Sequence, residues 1–121
     1  MRYLYLLSFI FIFLQAEDSF LSNDEYAKML YKNPRGIACS ACHGKRGEGG
    51  ILTAYTIEID GKKIVKEIKA PRINNLGIKE FKKAFEKKKR YMPSYYLTEK
   101  ELAYIYYYLL KQRKSDEDKK K

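Results

Sequence analysis

Cys39-Ser40-Ala41-Cys42-His43-Gly44 contains both cysteines and the only histidine of the chain. Two thiols separated by two residues and followed at once by an imidazole form the spacing that attaches haem c. The thiols add to the vinyl groups as thioethers, and the adjoining histidine is thereby placed under the iron. Three other chemistries use closely spaced cysteines. A structural zinc site takes four ligands, whereas two cysteines and one histidine supply three. A thioredoxin-like dithiol sits on a βαβ scaffold, which the helix, loop and helix pattern around this motif does not match. A disulfide between Cys39 and Cys42 would close a very small loop and stabilise little. Haem attachment alone uses His43, and a buried macrocycle would enlarge the core of a short chain.

Outward from the motif, residues 36–50 are dense in Gly, Cys, Ser and charge, which predicts mostly loop. Gly44, Gly47, Gly49 and Gly50 are available there for close backbone approach or positive φ. Upstream, Ser22-Asn23-Asp24-Glu25 has the form of a capping box, and Tyr26, Met29 and Leu30 follow at helical intervals. A short amphipathic helix ending near Asn33-Pro34 is predicted. Downstream, apolar residues alternate on either side of Asp60-Gly61, a strong two-residue turn signal, so a β-hairpin insertion is predicted near 56–69. The run Ala70 to Gly77 breaks regular structure. A second helix is predicted over Ile78 to Lys89, with Ile78, Phe81 and Phe85 on one side and lysines on the other. Thr98-Glu99-Lys100-Glu101 is another capping box, with Leu97 placed to staple against Leu102. Leu102, Ile105, Tyr106, Leu109 and Leu110 then mark a buried helical face, which Tyr104, Tyr107 and Tyr108 broaden by packing with their hydroxyls exposed.

The length of 121 residues predicts one domain plus tails. Arg2, the apolar run Tyr3 to Leu14, and Gln15-Ala16 before acidic Glu17-Asp18 read as a secretory signal peptide over residues 1–16. That run is shorter than the roughly 20 residues a spanning helix needs, so no integral membrane span is expected in the mature chain. The domain is expected over 17–112, with residues 113–121 as a charged, solvated tail. The chain carries a net charge of +10, and loss of Arg2 with the leader leaves +9. Export to the periplasm argues against nucleic acid as the partner of that charge. It favours an acidic redox protein such as a terminal oxidase, a peroxidase or a cytochrome complex.

A haem iron has a second axial position. With no further histidine in the chain, and with Met1 in the leader, Met29 and Met92 are the methionines to weigh. Met29 lies on the first predicted helix, where filling the core is its default role. Met92 lies on the irregular segment Tyr91-Met92-Pro93-Ser94-Tyr95, and spacing alone leaves iron ligation and ordinary packing equally open. A lysine amine would first have to lose its proton.

Taken together, Cys39-Ser40-Ala41-Cys42-His43-Gly44, Ala70-Pro71, Met92-Pro93 before a capped amphipathic helix, and the order of three helices make the mature chain resemble the class I cytochrome c family in its short bacterial form. The resemblance implies a mainly α fold of about three helices around one covalently bound haem, with the first and last helices crossing. It also implies that Pro71 lies by the proximal histidine, in a neighbourhood that accepts its ring N–H, and that Met92 gives its thioether sulfur to the iron. The hairpin departs from the shortest members of the family. On this reading the protein is a periplasmic, monomeric electron carrier that catalyses no reaction itself. The other readings are a haem enzyme or gas-binding sensor with an open distal position, and a haem subunit of a larger redox complex.

Overall fold

Residues 21–121 are described by the structure, a computed structural model; the leader expected over 1–16 lies outside the described residues. The Ser22 capping box starts helix α1, Asn23–Lys32, with the Ser22 hydroxyl accepting from the Glu25 N–H at 3.2 Å and the Glu25 carboxylate accepting from the Ser22 N–H at 3.0 Å. Helix α2 is Cys39–His43, five residues where a loop was expected. Nothing from Cys39 to His43 breaks a helix, and the density of glycine that suggested a loop begins only at Gly44. That residue ends α2 with φ 81°.

Strands β1, Gly50–Ile59, and β2, Lys62–Ala70, form one antiparallel hairpin, longer than the predicted 56–69. Asp60 and Gly61 have φ 51° and 74°, the left-handed pair that a type I′ turn requires. The register then runs from Ile59 opposite Lys62 to Gly50 opposite Ala70, interrupted by a bulge at Leu52. Helix α3, Ile78–Glu86, ends three residues earlier than predicted, because Lys87 is extended. Lysines at 79, 83 and 87 would repel one another at i, i+4 spacing, which disfavours a further turn. Helix α4, Glu99–Asp118, starts on the Thr98 capping box and runs well into the segment read as a solvated tail. Arg46 holds Asp116 there at 2.6 Å, which ties the end of α4 to the loop after α2.

The core forms where α1 packs on α4. Leu30 and Tyr31 meet Leu102, Ile105 and Leu109, and Cys39 and Phe81 complete the buried cluster. Aromatic pairs extend it: Tyr26 meets Tyr104 edge to face at 5.0 Å, and Tyr31 lies against Tyr108 at 4.8 Å. Arg35 clamps the start of α4, donating to both carboxylate oxygens of Glu101, at 2.7 and 2.8 Å, and to the Tyr96 carbonyl at 2.7 Å.

Gly47 is where the loop after α2 presses on this core. Its φ is 76°, and a β-carbon there would lie 2.5 Å from Leu109 Cδ2 and 3.2 Å from Ile73 Cγ1. Gly47→Ala should therefore destabilise the protein by about 2 kcal/mol or more, combining overpacking with a strained backbone, as read from the midpoint of chemical denaturation. Acid tests the Arg35 clamp. The Arg35 guanidinium, with the Thr98 N–H, holds the Glu101 carboxyl at about 2, below its ordinary 4.5. A depressed carboxylate contributes stability above its unfolded pKa and loses it as pH falls through the folded one. Glu101→Gln should thus flatten the loss of stability that the wild type shows between about pH 4.5 and 2.

Candidate functional site

Helix α2 presents three donor groups in five residues. Cys39 is buried and Cys42 half-buried, and both are free thiols. Burial pushes the Cys39 thiol up to about 11. It is thus a neutral group, which suits an apolar pocket. His43 ends the helix, and its Nδ1 lies 2.9 Å from the Pro71 carbonyl oxygen. A carbonyl only accepts, so Nδ1 is the donor in this contact and Nε2 is the nitrogen left to ligate a metal.

The Pro71 carbonyl is positioned by two sets of contacts. The hairpin returns the chain to its start at the Gly50–Ala70 pair, immediately before Pro71. The loop after α2 is then laced to the segment after β2: the Gly47 carbonyl accepts from the Ile73 and Asn74 N–H groups at 2.8 and 3.2 Å, and Asn74 Nδ2 donates to the Arg46 carbonyl at 3.0 Å. Asn74 is the buried polar residue among the described residues, and Arg72 Nε satisfies its Oδ1.

Cys39, Cys42 and His43 line a cavity of about 350 Å³ together with Tyr91, Met92 and Pro93 from the segment between α3 and α4. The volume falls in the range of about 300–1,000 Å³ usual for cofactor pockets. Ile73, Leu76, Phe81, Phe85 and Ile105 supply apolar wall, and Leu52 reaches the cavity from the β-bulge. Lys69, Arg72, Lys89 and Arg90 also line it, and among the described residues no carboxylate does. Met29 is outside this lining and 43% exposed on α1, so it neither fills the core, as its helical position suggested, nor reaches the cavity. The structure therefore brings Cys39, Cys42, His43, Pro71 and Met92 to one site.

The donor set fits a covalently attached haem. Two free thiols, an imidazole with an open Nε2 and a thioether share one predominantly apolar cavity, and the cations suit a ligand that carries carboxylates. Among the described residues, no group of three His, Cys, Asp or Glu side chains could hold a bare metal ion.

Sequence reasoning missed the tyrosine hydroxyls. Tyr31 donates to the Gly44 carbonyl at 2.6 Å, Tyr108 to Lys45 at 2.8 Å and Tyr95 to Ile37 at 2.7 Å, so each binds backbone next to α2. Tyr106 donates to Leu76 at 3.2 Å. The exposed Tyr108 hydroxyl also binds a carbonyl 63 residues away in sequence, a partner that was not expected. Helical spacing reports which face a tyrosine occupies and carries no signal of such a distant partner. Burial raises the Tyr31 and Tyr108 hydroxyls above their ordinary pKa, and both are neutral donors.

Among known proteins, residues 25–113 match the family described as Cytochrome c, well over half of the chain. No curated protein and no solved structure matches it. Among the described residues, four helices, one two-stranded sheet and a cavity lined by Cys39, Cys42 and His43 accompany that match, and the chain belongs to the cytochrome c family, whose members carry covalently bound haem c.

Proposed function

We propose that this protein is an exported, periplasmic one-electron carrier holding one haem c through Cys39 and Cys42, with His43 Nε2 and Met92 as the two axial iron ligands. The observation that supports this most is the shared cavity: Met92 lines it with both thiols and His43, while Met29 does not. Bound haem supplies the redox chemistry, cycling between ferric and ferrous iron.

The chain's own residues do the rest. Pro71 holds the imidazole by Nδ1 and sets its tautomer, the outer-shell contact that orients a metal-bound histidine. Met92 offers a soft thioether, which favours the ferrous state, and Phe81, Phe85, Leu76 and Ile105 keep water from the site. With His43 and Met92 both available to hold the iron, transfer would demand little rearrangement of the chain. On this reading the chain carries an electron and catalyses no reaction of its own. The positive chain, with Lys87 and Lys88 exposed just before the Met92 segment, suits encounter with an acidic redox partner.

Denaturing the purified protein in acid and extracting it with organic solvent tests attachment. The haem is expected to stay with the polypeptide, and haem in the organic phase would refute the reading. Met92→Ala should retain the haem, lower the reduction potential and let the ferrous protein bind carbon monoxide in a one-to-one ratio, which the wild type should resist. Absorption spectra under carbon monoxide check this, with Met29→Ala as the control expected to behave as wild type. Carbon monoxide binding by the wild type would instead indicate the open distal site of a sensor or enzyme.

A further inference from the structure

The hairpin carries apolar side chains that the domain does not cover. Its only substantial packing on another element, among the described residues, is where β1 leaves α2. Strand alternation and the register sort its residues onto two faces. One face carries Thr53, Tyr55, Ile57 and Ile59 from β1, opposite Ile68, Lys66, Ile64 and Lys62 from β2. Tyr55, Ile59 and Ile64 there are 46, 48 and 42% exposed. The charged residues of this face are both lysines. The carboxylates of the strands, Glu58 and Glu67, lie on the other face, where Glu67 pairs with Lys69 at 2.7 Å.

We propose that this face lies on an anionic lipid surface. Isoleucines and a tyrosine with lysines beside them on one face suit a bilayer interface on which the hairpin lies flat, the apolar side chains reaching the acyl boundary and the lysine stems bending back to bring their ammonium groups to the phosphates. The net charge of +10 adds long-range attraction to the same surface. Asp60, in the turn, belongs in water, so the hairpin lies flat and does not enter by its tip. A second copy fits less well, because an isologous contact through this face would bring the lysines of both copies into one interface with no carboxylate on the face to pair them. The face is also small, about 24 Å by 10 Å from strand geometry, against about 800 Å² per partner in a stable protein interface. A bilayer imposes no such minimum. The proposal does not rest on the ligand assignment at Met92.

Co-sedimentation of the mature holoprotein with vesicles tests it, comparing equal parts of phosphatidylglycerol and phosphatidylcholine with phosphatidylcholine alone. Binding to the anionic vesicles is expected to be about tenfold or more tighter than to the neutral ones, given about 1 kcal/mol per lysine at such a surface. Ile59→Thr with Ile64→Thr should weaken it about tenfold, while Val65→Thr, on the opposite face, changes it less than about twofold. Threonine keeps strand propensity, so the hairpin is retained in both. Lys66→Glu should weaken binding more than Lys63→Glu, although the change in net charge is identical. Absence of binding to anionic vesicles, equal effects of Lys66→Glu and Lys63→Glu, or equal effects of the isoleucine and Val65 changes would overturn the proposal. So would a concentration-dependent dimer in gel filtration that the isoleucine changes abolish.

Discussion

A single hydrogen bond, from His43 Nδ1 to the Pro71 carbonyl at 2.9 Å, is the contact on which the arrangement of the site depends. An isolated hydrogen bond contributes only about 1 kcal/mol, so it cannot itself bring together two residues 28 positions apart. The surrounding structure must deliver Pro71 to His43, and the hairpin does so. Antiparallel strands end where they begin, and the pairing of Gly50 with Ala70 returns the chain beside the helix it left. The length of the hairpin is therefore independent of the site. Twenty-one residues from Gly50 to Ala70 separate the loop after α2 from Pro71 without moving either. This explains how a hairpin of this length can be accommodated beside the cavity.

Around that bond, the fold controls backbone more than side chains. Gly47 accepts two N–H groups through its carbonyl, and Gly49 donates to the His43 carbonyl at 2.8 Å. Tyr31, Tyr108 and Tyr95 each give a hydroxyl to a carbonyl flanking α2, from α1, from α4 and from the Met92 segment respectively. A five-residue helix has too few internal hydrogen bonds to persist alone. These distant donors, with the burial of Cys39 in the core, hold α2 in place. Tyr95 matters twice, because it lines the cavity and ties the segment after Met92 to the chain just before Cys39.

Charge is divided between the surfaces in a consistent way. Cations line the cavity at Lys69, Arg72, Lys89 and Arg90; Lys69 is paired with Glu67, whereas Glu101, Asp116 and Asp24 are engaged by Arg35, Arg46 and Lys111, none of which lines the cavity. Exposed pairs of this kind contribute little individually. Their effect is to leave the cavity and its approaches positive in a chain of net charge +10.

Much of this was legible from the residues in order. Cys39, Cys42 and His43 declared the haem chemistry because thioether attachment needs those groups at that spacing. Ser22 and Thr98 marked two helix starts through local capping, and Asp60-Gly61 marked the turn because few other residue pairs tolerate two positive φ angles. All of these signals act within a few residues. What only the tertiary structure decided depends on partners distant in sequence. Met92 and Met29 were distinguishable in sequence only by resemblance, and the fold separates them by placing one in the cavity and the other on an exposed face. Helix α2 was hidden by the glycines that follow it, α4 extends beyond its apolar pattern to where Arg46 reaches Asp116, and the tyrosine hydroxyls found carbonyls as far as 63 residues away. Local steric and capping preferences are written in adjacent residues, whereas burial and long-range hydrogen bonding exist only once the chain has folded back on itself.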